Sequence, residues 1–277
     1  MIAAGVLAFR EGLEAALIVG IVLGALRRLG RSEQARFVWL GAGVAALLSL
    51  GAGLVLQLLG VAFEGRAEQV FEGTAMLLAA VVLTWMIFWM ERQSRSIKAD
   101  LERDVQQASI TGSGWALFSL AFVAVLREGI ELALFLTAAA LAASASATLL
   151  GGIIGLLAAI MAGALVFATT RQLNVQTFFR VTSVLLIVFA AGLVAHGIHE
   201  FNETGWVPPV VEHVWDLNPV LDENSTGGAL LKALFGYNGN PSLIEVISYA
   251  GYWLVITLVL WRKRDVPRQV PAYSGGE

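Results

Sequence analysis

The sequence contains no cysteine. Disulfides, thiolate metal sites and c-type haem attachment are therefore excluded, and the redox compartment leaves no trace in it. Charge is scarce as well. Only 14% of the 277 residues are Asp, Glu, Lys or Arg, against about 25% in soluble domains. No Gly-x-x-x-x-Gly-Lys-Ser/Thr phosphate loop occurs, which argues against an ATP-driven pump in this chain. The N-terminus lacks the basic start of a cleaved signal, and Arg10, Glu11 and Glu14 interrupt its apolar stretch. It reads as a first span that is retained.

What the chain does have is apolar length. Hydrophobic residues make up 57% of it, and the mean hydropathy is +0.75. A membrane-spanning helix needs about 20 such residues. Seven apolar stretches meet that need, at 2–26, 37–62, 70–90, 115–141, 148–168, 177–200 and 242–261. The expected fold is an all-α integral membrane protein with seven transmembrane helices, in one polytopic domain over residues 1–277.

Basic residues gather on alternate connections. Arg27, Arg28, Arg31 and Arg36 follow span one, and Arg92, Arg95, Lys98 and Arg103 follow span three. Arg171 and Arg180 flank the joint of spans five and six, and Arg262, Lys263, Arg264 and Arg268 form the tail. The positive-inside rule then predicts an external N-terminus and a cytoplasmic C-terminus in the cytoplasmic (inner) membrane. That orientation requires an odd number of spans. The long segment on the opposite side, 201–240, carries Glu203, Glu212, Asp216, Asp222 and Glu223 with Pro208, Pro209 and Pro219. It reads as an acidic external loop, ahead of the seventh helix and basic tail over 241–277.

A motif is repeated. Arg10-Glu11-Gly12-Leu13-Glu14 lies in span one and Arg127-Glu128-Gly129-Ile130-Glu131 in span four. With three spans per unit, the two copies run antiparallel. This predicts an inverted repeat, 1–114 against 115–200, with the substrate site near the midplane. Arg10 lies about 12 Å and Arg127 about 18 Å into its helix at 1.5 Å per residue. A charge there costs about 2.5–3.5 kcal/mol on insertion scales, so these side chains must face inward and be compensated. Spacings of three and four put Glu11, Glu14 and Arg10 on one helical face, and likewise Glu128, Glu131 and Arg127. Four carboxylates against two guanidiniums leave a double negative charge, which a divalent cation would neutralise. Hard oxygen donors suit magnesium, calcium, manganese and iron in its harder forms. Pairing of the helices by Arg and Glu alone leaves the surplus carboxylates unexplained. Gly12 and Gly129 would let a helix or an ion approach closely.

Further polar groups cluster toward the external side. Glu64, Glu68 and Glu72 are spaced by four, and Glu72 leads directly into apolar sequence. His196, His199 and Glu200 end span six at spacings of three and four, and imidazole with carboxylate suits a transition metal. Met86 and Met90, and the glycine pairs Gly20/Gly24 and Gly151/Gly155, read as packing positions.

Paired Arg-Glu-x-x-Glu motifs in spans one and four resemble the oxidase-dependent iron permease family of fungal high-affinity and bacterial ferrous iron permeases. Phe71-Glu72-Gly73 leading to Leu83-Thr84-Trp85-Met86 is similar to that family's third span. His199-Glu200-Phe201-x-Glu203-x-Gly205-Trp206 is similar to its sixth-span exit. The resemblance implies iron, Fe(II) or Fe(III), as transported ion with no cofactor, and essential roles for Glu11, Glu14, Glu128 and Glu131. Separate periplasmic or extracellular iron-binding or ferroxidase subunits are implied as partners, since the fungal Asp-Ala-Ser-Glu loop sequence is absent. The expected partners are therefore the iron ion, the lipid bilayer and such subunits, with no nucleic acid and with a homo-oligomer left open. The alternatives are transport of manganese or lead, or a metal-dependent intramembrane enzyme.

Overall fold

The computed structural model describes residues 1–93, 97–110, 114–142, 144–168, 175–223 and 225–264. Arg95, Arg171, and Arg268 with the rest of 265–277 lie outside the described residues. Helices dominate. They are α1 (Ile2–Arg28), α2 (Ala35–Ala62), α3 (Arg66–Gln93), α4 (Ile97–Ile110), α5 (Gly114–Ala142), α6 (Ala145–Ala168), α7 (Val175–Glu203), α8 (Thr226–Phe235) and α9 (Leu243–Arg264). None of the six prolines falls inside a described helix, so no helix loses an internal hydrogen bond to one.

All seven predicted stretches are helical. Five helices, α2, α3, α6, α7 and α9, are long and apolar enough to cross a membrane by length and composition. The other two, α1 and α5, have 27 and 29 residues and differ in carrying the three motif charges each. Leu47, Leu48 and Leu58 on α2 and Leu149, Ile160 and Met161 on α6 are more than half exposed, as hydrocarbon-facing side chains are.

The packing does not follow chain order. Helix α1 lies mainly along α6, α2 along α5, and α3 along α7, while α1 and α5 cross at the centre. Small residues set two of these crossings. A Cβ on Gly155 would run into the Gly5 carbonyl of α1, and one on Gly151 into the Met1 carbonyl. Gly24 has open space around it, so the packing expected for Gly20/Gly24 is not seen at Gly24. Gly155→Ala is accordingly expected to cost about 1–3 kcal/mol through overpacking, and Gly24→Ala to cost nothing. Thermal unfolding in detergent checks this contrast.

Two elements depart from the sequence expectation. The mixed-charge stretch 91–104 reads by sequence as a solvated helical extension, and α4, which begins within it, also buries Val105 and Ala108 against Val22 and Leu26 of α1, with an Arg28–Glu102 ion pair at 2.5 Å beside them. The acidic loop starts later than predicted, because α7 continues to Glu203. Within it, α8 begins at a Ser225 cap and ends at Gly236, whose φ of 69° no β-carbon-bearing residue adopts comfortably. Gly236 packs directly on Gly192 of α7, and Leu234 packs against the core, so α8 folds back into the bundle.

Candidate functional site

The two motifs meet where α1 crosses α5. Their glycines set the depth of the packing. A Cβ on Gly12 would sit 2.9 Å from Ala159 Cβ of α6, and one on Gly129 would collide with Ser49 of α2. Both glycines therefore admit a neighbouring helix, and both also line a cavity of about 750 Å³ between α1, α2, α5 and α6.

Five of the six charged side chains are almost fully buried. Arg10 is 0% exposed, Glu11 1%, Glu128 4%, Glu14 6% and Glu131 8%. Arg10 Nη1 donates to Glu11 Oε1 at 3.1 Å, and its Nη2 lies 3.3 Å from Glu14 Oε1. Arg127 Nε donates to Glu131 Oε1 at 2.9 Å and lies 3.9 Å from Glu128 Oε1. Three of the four predicted carboxylates converge. Glu11, Glu128 and Glu131 each place an oxygen within 4.8 Å of the others. Glu14 stays on Arg10, outside that trio. The second oxygens of Glu11, Glu128 and Glu131 are buried without a hydrogen-bond partner. Carboxylate oxygens in that condition are costly in a dry interior, and a bound cation satisfies them.

The motifs are not equivalent. Arg10 also donates to Met86 Sδ at 3.3 Å, so Met86 has a polar contact beyond the packing expected for it, while Met90 is core. Arg127 is a third exposed, and its guanidinium lies 4.1 Å above the Trp89 ring.

A second cluster lies at the end of the bundle where α3 begins and α7 ends. Gly73 and Gly197 meet there, a Cβ on Gly73 falling 2.9 Å from the Gly197 carbonyl oxygen. That close crossing brings Glu72 beside Glu200, with Glu68 and Glu203 in the same electrostatic neighbourhood. Glu64 does not share their face. It precedes α3, and Gly65 at φ 61° turns the chain between them. His199 reaches Glu203 and Glu245, and Gln69 donates to Glu203 at 2.7 Å. His196 has Nδ1 3.0 Å from its own helix carbonyl at Gly192 and lies within electrostatic reach of His199 and Glu245.

Sequence reading missed two members. Glu203 was assigned to the loop, although its i,i+4 spacing from His199 marks it as helical. Glu245 opens α9, and Ser242-x-x-Glu245 is a capping-box pattern that could have found it. An apolar core contributed by α1, α3, α5 and α7 lies between the two clusters. Leu7, Met76, Leu83, Phe135 and Leu193 are all below 2% exposed and belong to one core.

Residues 1–262 match the iron permease FTR1 family. The chain is similar to the ferrous iron permease EfeU of Escherichia coli O157:H7, 39% identical over 239 residues, covering 86% of this chain and 87% of that one. The Shigella sonnei protein of the same name matches to the same extent. The Yersinia pestis protein of that name is 38% identical over 255 residues, covering 91% and 90%. No solved structure matches.

Proposed function

The chain belongs to the FTR1 iron permease family and is a multi-pass membrane permease for iron, and from that premise we propose how its residues carry the ion. Iron is collected by Glu68, Glu72, His199, Glu200 and Glu203 at the acidic end, which faces outward. It moves to the central site of Glu11, Glu128 and Glu131 and leaves at the arginine-rich end, which faces the cytoplasm. The N-terminus is external. All seven long helices span the cytoplasmic membrane, with α1 and α5 kept from a wholly apolar composition by the site they carry. The protein is not an enzyme.

The observation that carries this reading is the buried trio of carboxylates with three unpartnered oxygens. Support for an inverted repeat comes from the packing. Exchanging α1 with α5, α2 with α6 and α3 with α7 turns the α1–α6 pair into the α5–α2 pair and leaves α3–α7 unchanged. The driving force needs no nucleotide, since a divalent cation moving inward gains about 4.6 kcal/mol per 100 mV, twice the single-charge value. Delivery by separate external subunits fits the acidic end.

Reconstituted protein is expected to take up iron saturably into sealed vesicles under an inside-negative potential. Fe(II) under reductant and chelated Fe(III) are offered separately, and the form taken up names the substrate. An equal concentration of manganese is expected to leave uptake unchanged. Equal competition by manganese would establish a general divalent-metal permease in place of an iron-selective one.

A further inference from the structure

His199 is held by a buried carboxylate that is engaged on both oxygens. Glu245 is 3% exposed. Its Oε1 accepts from His199 Nδ1 at 3.0 Å and from the Ser242 N–H at 3.2 Å, and its Oε2 accepts from Asn238 Nδ2 at 2.8 Å. Ser242 Oγ accepts in return from the Glu245 N–H at 3.2 Å and from Asn202 Nδ2 at 2.7 Å. The Ser242–Glu245 half of this network is a capping box for α9. Capping does not require a histidine from α7 to share the same oxygen.

The sharing decides the histidine's chemistry. An ionised carboxylate only accepts, so in the neutral ring the proton lies on His199 Nδ1, and Nε2 then keeps its lone pair. Nε2 lies 3.3 Å from Glu203 Oε1, which is an acceptor too. In the neutral ring two lone pairs face each other there, and an entering cation, with Glu200 and Glu72 alongside, takes the place of an Nε2 proton.

We propose that Glu245 is a positioning residue for iron capture. It fixes the His199 tautomer and ring orientation so that Nε2, together with Glu203, is presented to the incoming ion. Carboxylates placed behind metal-binding histidines act in this way and also raise the basicity of the ligand. The inference rests on the acidic end being the capture site.

The test measures KM and maximal rate of iron influx, with melting temperatures, for His199→Ala, Glu245→Gln, their double variant and Ser242→Ala. Gln at 245 keeps an oxygen for the Ser242 N–H but lacks the charge that holds the His199 N–H. His199→Ala and Glu245→Gln are each expected to raise KM by about 10–100-fold, the range for outer-shell changes, at unchanged maximal rate. The double variant is expected to be no worse than either single one, because the two residues act as a unit. Ser242→Ala is expected to lower the melting temperature and leave KM alone. If His199→Ala raises KM and Glu245→Gln does not, Glu245 is a cap only and the proposal fails. A fall in maximal rate at constant KM would place the pair in the transport step and overturn it as well. No effect from His199→Ala would remove the capture site itself, and the proposal with it.

Discussion

Glu128→Gln is expected to cut iron influx by at least about 100-fold, beyond the ~10–100-fold typical of changes behind a ligand, while the protein stays folded. The argument is local. Glu128 shares the 4.8 Å trio with Glu11 and Glu131 and has one oxygen with no hydrogen-bond partner. Gln keeps the volume and removes one charge and one acceptor from the ion's coordination. The effect on stability runs the other way. The centre holds more carboxylates than guanidiniums, so removing a negative charge relieves repulsion in a poorly screened interior. The melting temperature is expected to hold or rise, as it does where function is maintained against stability. If these glutamates served only to join helices, the signs would reverse, with less folded protein and normal flux per folded molecule. Influx normalised to folded protein separates the two cases.

Arg10→Ala is expected to destabilise the fold by about 3–5 kcal/mol, the cost of removing one partner from a buried ion pair. Arg10 is fully buried between Glu11, Glu14 and Met86, and no water can replace its charge. Arg127 stands at the matching place in the second motif but is a third exposed and stacked on Trp89. Arg127→Ala is therefore expected to cost less than Arg10→Ala, because solvent reaches the guanidinium, although it leaves the buried Glu131 without its partner at 2.9 Å. Adding Glu14→Gln to Arg10→Ala is expected to restore part of the loss. Unfolding in detergent measures all four proteins, and equal losses for the two arginines would contradict the asymmetry.

Much of the fold was legible because hydrocarbon imposes simple rules on sequence. Apolar runs of spanning length produced all seven long helices, and the repeated motif marked where two of them cross. Helix α4 was less legible. Its apolar face is short, Leu101, Val105 and Ala108, and only the position of α1 shows that it is a packing face. The trio could not be separated from Glu14 by spacing, since Glu11 and Glu14 share a helical face and differ only in what lies opposite. Glu245 stayed hidden because its partner His199 is distant in sequence. Spacing treats His196 and His199 alike, and only the structure shows that His196 Nδ1 is directed at its own helix backbone while His199 Nδ1 meets Glu245.

The packed layer of Leu7, Met76, Leu83, Phe135 and Leu193 has an electrical consequence. A membrane stores its working voltage as a capacitor does, and any continuous water thread through the protein would short-circuit it. Along this seam the resting bundle is dielectric from the acidic end to the carboxylate trio. An ion taking this route meets apolar side chains before it meets the carboxylates, so the voltage falls across that packed layer.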